Sequence, residues 1–412
     1  MFRTLPIFLL ALATTRSIAQ APEIPATRLV GGVTLLEHRA DAFARAPKLT
    51  VDPKPLLVIG GAGVDPDYGL EHVYQPVVLS DGRIAAFPWI GNSLRIFNAK
   101  GAPEKLIGKQ GNGPGDFMRT TGLLLLPGDT LFTVDEANFR ANWITVGKGV
   151  VRSAALLSDI RKTYNLTAIG ALPGSRIVWA SNLISSTPLP VGERLRRRKP
   201  FLVSSPLRDQ IAFVDSIPGI EVAGFRTAYR GRKDSTALMV RLGMNSVLAV
   251  WGSGIAIANL TGEYAIERRS PTGSVIGRIT VPVARRPVTT AMRDAVIAMD
   301  LARIDASGGE HMVDIGETRR QARESPFADS LPPIQGLFAT PDNTLWAVDG
   351  LSYQTGTYWD ATAFRIDGAI IGRLHFTGGG VPVYFGNNSV MVRSVDDDGI
   401  VTMTSYRIVA TK

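Results

Sequence analysis

Residues 122–134 read GLLLLPGDTLFTV, which is two apolar runs joined by a Pro-Gly-Asp turn. Short apolar runs on either side of such a turn are a strong signal for a β-hairpin. The same pattern recurs in five further segments: QPVVLSDGRIAAF from Gln75, AIGALPGSRIVWA from Ala168, MVRLGMNSVLAVW from Met239, GLFATPDNTLWAV from Gly336 and PVYFGNNSVMVRS from Pro382. The chain therefore repeats one hairpin six times.

A third strand-like segment follows each hairpin, and several of these continue into a fourth. The third segments are LRIFNAKG, ANWITVGKG, DQIAFVDSIPG, EYAIERRSPTG, TAFRIDG and TSYRIVA. Units of four short antiparallel strands, repeated every 45 to 70 residues very roughly, are typical of β-propeller blades. We therefore predict an all-β fold, a six-bladed β-propeller, with a β-sandwich carrying strand insertions as the competing fold.

The ends of the chain predict how the ring of blades closes. The sixth unit reaches Lys412 without a fourth strand, whereas PLLVIGG, from Pro55, has no hairpin partner of its own. We predict that PLLVIGG completes the last blade, because this pairing closes the ring and removes an exposed sheet edge. The propeller would then span residues 55–412, preceded by an N-terminal extension at 20–54.

The first residues, MFRTLPIFLLALATTRSIAQ, have the pattern of an export signal. Arg3 supplies a positive start, an apolar run too short to span a bilayer follows, and Ser17-Ile18-Ala19 is a small-residue cleavage site. We predict cleavage after Ala19, so that residues 1–19 are a signal peptide and the protein is periplasmic or extracellular. The alternatives are a buried N-terminal strand and a short anchor.

Composition restricts the chemistry and the partners. The chain has no cysteine, which excludes thiolate catalysis and cysteine metal sites, and a formal net charge of +9. A basic exported protein favours anionic partners such as acidic polysaccharide or lipid headgroups, although charge alone identifies none of them. We expect no nucleic acid, no integral membrane span and a monomer.

Residues 108–117, GKQGNGPGDF, could be either a phosphate-binding loop or a structural turn. A Walker loop needs Lys-Ser or Lys-Thr after its last glycine, whereas Asp116 and Phe117 follow here, and a hairpin rather than a helix comes next. We therefore interpret the segment as a crossover between blades, with Phe117 as an apolar plug between sheets. The structural turn consists of Gly111, Gly113, Pro114, Gly115 and Phe117.

The stretch LRIFNAKGAPEKLIGKQGNGPGDF, followed by LPGDTLFTVDEANFR, resembles the six-bladed propellers related to NHL repeats. In that family a strand of this type leads into a Gly-x-Gly-Pro-Gly-x-Phe turn, and the next blade carries an Asp and an Arg. Asp135 and Arg140 fall on those two positions. The resemblance is specific over about Leu94 to Arg140 and weaker towards the C-terminus. It also implies an enzymatic alternative, since related lactonases and lyases hold a divalent metal ion in the channel.

Histidines and carboxylates give little support to a metal site. The four histidines, His38, His72, His311 and His375, are scattered along the chain, so a clustered histidine site is not expected. Under the enzymatic alternative, Asp116, Asp135 and Asp349 could converge on the channel and hold a divalent cation. The favoured interpretation is that Asp135 and Asp349 stabilise their own blades and that the protein has no cofactor.

Two further segments are expected on the face that propellers form from their crossovers and second-to-third-strand loops, called here the loop face. ERLRRRKP, Glu193 to Pro200, is predicted to be a loop that is either solvated or in contact with an anionic ligand. TTAMRDAVIAMDLARID, from Thr289, has Met292, Val296 and Met299 at helical spacing, with Thr290 as N-cap. A second helix is expected at 317–324. This helical insertion, about residues 287–330, should cap the face between blades 4 and 5.

These observations predict a non-catalytic module that binds a small molecule, a polysaccharide or a protein through its loop face. The predicted contacts are Asp116, Arg119, Arg140, Arg196, Arg197, Arg198 and Tyr353. The first alternative is a metal-dependent lactonase-like or lyase-like propeller enzyme. The second is a purely structural surface protein.

Overall fold

The structure is a computed structural model that describes residues 21–411, apart from 72, 74, 89–92, 157–165, 182–186, 209–210, 230–231, 307–313, 351–357 and 397. The predicted signal peptide at 1–19 lies outside the described residues, as do His72, His311 and Tyr353. Among the described residues, no helix is long and apolar enough to cross a membrane.

The described chain is built mainly from antiparallel strands in sheets that follow one another along the chain, in the manner of a β-propeller, and the all-β prediction is confirmed. The N-terminal segment forms β1 (Ala26–Val30), β2 (Val33–Glu37), helix α1 (Ala42–Arg45), β3 (Lys48–Val51) and β4 (Leu57–Gly60), then a single 3-10 turn at Pro66–Tyr68. All four strands of this segment join sheets whose other strands come from later in the chain.

The first two units are four-stranded sheets in sequence order. Unit 1 comprises β5 (Val77–Val78), β6 (Ile84–Ala86), β7 (Leu94–Phe97) and β8 (Pro103–Ile107). Unit 2 comprises β9 (Thr120–Leu126), β10 (Thr130–Asp135), β11 (Arg140–Thr145) and β12 (Gly149–Ala155). Both hairpins lie where the repeated sequence pattern predicts them, because their glycine-containing turns allow each chain reversal.

Unit 3 differs from the prediction. Its strands are β13 (Leu166–Leu172), β14 (Arg176–Ser181), β15 (Arg194–Ser204), β16 (Ile211–Tyr229) and β17 (Arg232–Met239). The basic segment predicted as a loop belongs to β15, so that prediction is wrong, and DQIAFVDSIPG enters the fourth strand rather than the third. The long β16 pairs first with β15 and then with β17, and the β16–β17 hairpin extends the sheet at its outer edge.

Unit 4 comprises β18 (Val247–Trp251), β19 (Gly254–Ala258), β20 (Tyr264–Arg269) and β21 (Val275–Val281). Its hairpin turns at Gly252, so the hairpin predicted from Met239 is wrong, and residues 240–246 instead connect unit 3 to unit 4. The N-terminal β1–β2 hairpin adds to this sheet, with β2 parallel to β21. The local pattern misplaced the turn because both connections are rich in glycine and small polar residues.

The last two units are joined through the N-terminal strands. Unit 5 comprises β22 (Gly336–Ala339), β23 (Leu345–Gly350), β24 (Trp359–Phe364) and β25 (Ile370–Phe376), and unit 6 comprises β26 (Val381–Gly386), β27 (Ser389–Val395) and β28 (Val401–Ala410). Strand β3 runs parallel to β25 and antiparallel to β28, so it links the two sheets. Strand β4 pairs antiparallel with β28, with Met403 opposite Ile59.

Buried apolar side chains fill the space between each sheet and the next. A sheet with two apolar faces needs such a neighbour on each side, which is why the units stack face to face. One more cluster joins the last unit to the first: Ile59, Met391 and Met403 pack with Ile84 and Phe97.

Two longer helices lie in the connection between units 4 and 5. They are α2 (Thr290–Ala306) and α3 (Ile315–Glu324). The hydroxyl of Thr289, rather than that of Thr290, accepts the backbone N–H of Met292 at 3.3 Å, so the predicted N-cap is one residue too late. The Asp314 carboxylate caps α3 by accepting the N–H of Glu317 at 2.9 Å.

Candidate functional site

The glycine-rich crossover at 108–119 is held against the sheets by Phe117. This side chain is fully buried, and its ring meets that of Phe87 edge-on at 4.9 Å. Gly108 has a φ of +84°, and a Cβ there would lie 2.3 Å from the Phe117 ring. Only glycine fits this position, because the backbone is left-handed and the ring occupies the side-chain space.

Asp116 and Arg140 meet in this crossover. Asp116 accepts the backbone N–H of Gly113 at 3.2 Å through Oδ2, and Arg140 donates to the carbonyl of Asn112 at 3.2 Å and to that of Asp116. The Asp116 carboxylate and part of the Arg140 guanidinium are thus directed at their own loop. Both residues serve the crossover in this geometry, and neither is free to reach a ligand without giving up these contacts.

Asp135 stabilises the same crossover from the adjoining strand. Its buried carboxylate accepts the backbone N–H groups of Met118 at 3.0 Å, Arg119 at 3.1 Å and Asn138 at 3.2 Å, and the Asn138 side-chain amide at 2.7 Å. A carboxylate that accepts several backbone N–H groups in this way fixes the conformation of the loops that carry them. The Arg119 side chain is exposed and remains accessible on the loop face.

Arg196 of the basic segment has a structural role. Its guanidinium donates to the carbonyls of Gly219 at 3.0 Å, Leu260 at 3.1 Å and Pro218 at 2.8 Å, and to the Ser246 hydroxyl at 3.1 Å. Burial lowers the pKa of Arg196. The residue therefore ties unit 3 to unit 4.

The neighbours of Arg196 differ in exposure along the strand. Arg197 donates to the carbonyl of Thr187 at 2.5 Å, and Arg198 donates to the hydroxyl of Ser216 at 3.2 Å. Lys199 donates to the carbonyl of Ser246 at 3.0 Å, and burial lowers its pKa to about 8. A β-bulge between Arg196 and Arg198 interrupts the alternation of side chains along this strand, and Arg196 and Lys199 both reach Ser246. The cations of the basic run thus donate to carbonyl and hydroxyl groups of the protein itself, which argues against one anion site here.

A central cavity of about 900 Å³ is lined by the first strand of every unit. Its walls include Val78, Leu125, Ile169, Val250, Phe338 and Tyr384. The lining residues that the structure describes are apolar, threonine, glutamine, asparagine or tyrosine, with no histidine, aspartate or glutamate among them. Asp116, Asp135 and Asp349 are therefore not brought together at this channel.

Asp349 belongs to a polar cluster in unit 5. Arg373 donates to its carboxylate at 3.1 Å and to the hydroxyl of Thr362 at 2.7 Å, and it also pairs with Asp360 at 3.4 Å. Burial raises the pKa of the Asp349 carboxyl, and the charge of Arg373 opposes that effect. Across the described ranges of the chain, no group of three or more histidine, aspartate or glutamate side chains is placed to hold a metal ion.

A second cavity, of about 700 Å³, lies under the helical insertion, and we call it the cap cavity. Its walls come from the β16–β17 hairpin, from the connection at 240–245, from α2 and α3, and from 325–335. Val247 and Gln335 place it beside the start of β18 and the residue before β22, which are first strands of units 4 and 5. The cap cavity therefore opens on the loop face near the channel.

Apolar packing and ion pairs hold the cap in place. Val296 of α2 is buried with Leu242, Phe327 and Leu331. Arg320 of α3 donates to the carbonyl of Arg226 at 2.6 Å, which attaches the helix to the hairpin. The cap is thus a packed element that encloses space, rather than a helix laid flat on the sheets.

The α3 helix is reinforced by ion pairs along its own length. Arg320 pairs with Glu317 at 2.8 Å and Glu324 at 2.7 Å, and it lowers the pKa of Glu317 to about 2. Such pairs three and four residues apart lie on one helix face and support the helix from the solvent side.

Polar side chains belong to nine of the 22 residues that line the cap cavity, and three of these nine are charged. Asp300 pairs with both Arg241 and Arg303. Gln335 has a buried side-chain oxygen that accepts no hydrogen bond from the residues the structure describes. A cavity that combines apolar walls with convergent polar groups is the usual form of a small-molecule site.

The sequence prediction located the helices of this site but missed its other wall. Arg230-Gly231 stands between two strand-like runs and is the signal that could have indicated the β16–β17 hairpin. Of the predicted contact residues, Asp116 and Arg140 meet each other, Arg196, Arg197 and Arg198 lie in β15, and Tyr353 lies outside the described residues. None of the six described contact residues lines the cap cavity.

No protein-family model matches the sequence, and no curated protein matches it. Among solved structures, a member of the DUF4221 family from Bacteroides vulgatus superposes with a TM-score of 0.49 at 11% identity, covering 89% of this chain and 99% of the other. A Bacteroides fragilis protein inferred to be exported gives 0.47 at 11% identity, covering 92% and 99%. Virginiamycin B lyase from Staphylococcus aureus gives 0.40 at 9% identity, covering 87% and 99%. At these scores the similarities carry no functional argument.

Proposed function

We propose that this chain is a six-bladed β-propeller closed by its N-terminal segment. Three observations support this proposal. The central cavity is lined by the first strand of each of the units, β4 pairs with β28, and apolar side chains join the last unit to the first. In this proposal residues 55–412 form the propeller, related to NHL-repeat propellers, and residues 20–54 strap the outer strands of blades 4 to 6.

We further propose that the protein is exported after cleavage at Ala19 and acts as a non-catalytic binding module of the loop face. The cap cavity carries this proposal, because its size and its lining of apolar and polar side chains suit a small molecule. The binding site is thereby moved from the glycine-rich crossover and the basic segment, whose polar groups are engaged with backbone carbonyls and amides.

The enzymatic alternative lacks a supporting residue set in the described part of the chain. The carboxylates considered for a channel metal are Asp116, Asp135 and Asp349, and each is engaged elsewhere. We therefore derive no reaction step through a metal ion. Catalysis needs positioned acid, base or nucleophilic groups, whereas the cap cavity has one carboxylate already shared by two arginines.

A thermal-shift screen of metabolites against the purified protein tests the binding role. A ligand that binds the native state raises the melting temperature by mass action. The blocking variant is Met299→Trp, because Met299 lines the cap cavity yet is 46% exposed. The larger tryptophan side chain can therefore fill part of the cavity without disturbing the core. We expect a ligand that stabilises the wild-type protein and fails to stabilise Met299→Trp.

The matched control is Ile315→Trp on α3, since Ile315 is similarly exposed and does not line the cavity. It should leave the ligand response unchanged. If every ligand found stabilises Met299→Trp as well as the wild-type protein, the cap cavity is not the binding site and the proposal is wrong.

A further inference from the structure

The charges of the cap cavity are unbalanced in favour of positive charge. Its charged lining residues are Arg241, Asp300 and Arg303. Asp300 accepts Arg303 Nη2 at 2.9 Å through Oδ1, and its other oxygen pairs with Arg241. Among the residues that line the cavity, one carboxylate thus stands between two guanidinium groups, which favours an anionic occupant.

Of the two arginines, Arg303 is the one that can receive a ligand. Its side chain is 78% exposed, whereas that of Arg241 is 18% exposed. Because the Arg303 side chain is so exposed to solvent, its pair with Asp300 contributes little to stability and holds Arg303 loosely. A guanidinium has five N–H donors in a planar fork, and Arg303 can therefore donate to Asp300 and to a ligand carboxylate at the same time.

Apolar side chains on two sides of the cavity suit a hydrocarbon body. Leu238 and Leu242 come from the hairpin side of the cavity, and Val296 and Ile304 come from α2. Met299 lies on the same helix as Arg303, four residues earlier, so the two side chains share one helix face at the cavity. Methionine is flexible and adapts its shape to an apolar occupant.

From this arrangement we infer that the cap cavity binds an amphipathic carboxylate, with the carboxylate at Arg303 and the hydrocarbon chain between α2 and the β16–β17 hairpin. The inference rests on the binding role proposed above and adds the chemical class of the ligand. A cationic amphiphile would be repelled by the two arginines, and a neutral one would form no ion pair with them. The carboxylate therefore distinguishes the ligand from uncharged and cationic molecules with the same hydrocarbon chain.

Isothermal titration of the full-length purified protein tests this with three probes of equal chain length: decanoate, 1-decanol and decyltrimethylammonium, each below its aggregation concentration. We expect decanoate to bind most tightly. Arg303→Gln should weaken decanoate binding by roughly five- to tenfold, because it removes a charge-assisted hydrogen bond, and should leave decanol binding unchanged. Met299→Trp should abolish the binding of all three probes.

The matched control for Arg303→Gln is Arg319→Gln. Arg319 pairs with Asp305 on the exposed side of the cap and does not line the cavity, so the same loss of charge there should not change decanoate affinity. If Arg319→Gln weakens binding as much as Arg303→Gln does, the effect is one of overall charge and the inference is wrong.

The outcomes separate the ligand class from the site. If decanol and decyltrimethylammonium bind as tightly as decanoate, and Met299→Trp blocks all three, the cavity binds ligands but the carboxylate inference is overturned. If decanoate does not bind at all, the inference is also overturned, whereas the metabolite screen still tests the binding role. If decanoate binds equally well to Met299→Trp, it binds elsewhere, and neither the inference nor the proposed site stands.

Discussion

Arg208 and Glu136 form an ion pair in the interior between units 2 and 3, with Arg208 Nη2 2.9 Å from Glu136 Oε1 and side chains that are 0% and 3% exposed. The Arg208 guanidinium also lies over the Trp179 ring at 4.2 Å. The pair thus joins two units between which apolar side chains also pack. Removing one partner would take away a buried ion-pair contact of the other.

We expect Arg208→Met to lower the free energy of unfolding by about 3–5 kcal/mol, because Glu136 then loses a buried ion-pair partner. The double variant with Glu136→Leu should be more stable than Arg208→Met alone, since both charges are gone. Urea denaturation of the wild-type protein, both single variants and the double variant measures the coupling. Strictly additive losses would contradict a direct interaction of the two side chains.

Gly108→Ala should be more destabilising than substitution at other turn glycines. The new Cβ would lie 2.3 Å from the buried Phe117 ring and 2.9 Å from the carbonyl oxygen of Gly115. We expect a loss of about 2–4 kcal/mol, which combines backbone strain with overpacking. Gly174→Ala is the matched control: its φ is +78° and no atom lies within 4 Å of the new Cβ, so it should lose only about 1 kcal/mol. Equal losses in the two variants would show that backbone strain alone accounts for the destabilisation and that the contact with Phe117 adds nothing.

The two aspartates of the crossover should respond differently to removal. Asp135→Ala leaves the backbone N–H groups of Met118, Arg119 and Asn138 without their acceptor, and we expect a loss of about 2–4 kcal/mol. Asp116→Ala removes the acceptor of Gly113 and should lose about 1 kcal/mol or less. Denaturation midpoints at constant m-value test the difference. A larger loss for Asp116→Ala would refute the assignment of Asp135 as the main support.

The burial of Lys199 predicts a pH dependence of stability. Its pKa is lowered from 10.5 to about 8 in the folded protein. Between these values the unfolded chain binds more protons than the folded one, so the free energy of unfolding rises with pH. Relative to Lys199→Met, the wild-type protein should gain on the order of 2–3 kcal/mol between pH 8 and pH 10.5.

Urea denaturation across that pH range measures the gain at Lys199. Lys100→Met is the control, because Lys100 is exposed, and its difference from the wild-type protein should not change with pH. A flat difference for Lys199→Met would mean that the ammonium group stays hydrated in the folded state.

Strand β4 offers a test of how the last sheet is completed. Ile59 is buried among residues of units 1 and 6, whereas Val58 on the opposite face of the strand is 45% exposed. Ile59→Ala should lower the free energy of unfolding by about 2–5 kcal/mol, and Val58→Ala by less than about 1 kcal/mol. If both substitutions are mild, β4 does not contribute to the packing between the last and the first unit.

The sequence alone was sufficient for the all-β fold and for most of its hairpins. Turn chemistry is local: a Pro-Gly-Asp turn such as that at 127–129 reverses the chain wherever it lies. The helix at 290–306 is also indicated locally, because its apolar spacing lies within the segment itself, although its cap is Thr289 rather than Thr290. The second helix begins at Ile315, two residues before the predicted start. The pairing of β4 with β28 was also predicted from the sequence, because the segment from Pro55 had no hairpin partner and the sixth unit had no fourth strand.

Tertiary structure alone decided the role of the basic segment and the place of the candidate site. A run of arginines has the composition of a solvated loop, yet β16 supplies a pairing partner, and carbonyls from units 3 and 4 supply the acceptors for Arg196. The cap cavity likewise requires the hairpin of unit 3 and the insertion before unit 5 to meet in space. Partners this distant in sequence leave no trace in local spacing, because strand pairing and charge burial depend on which surfaces the folded chain brings together.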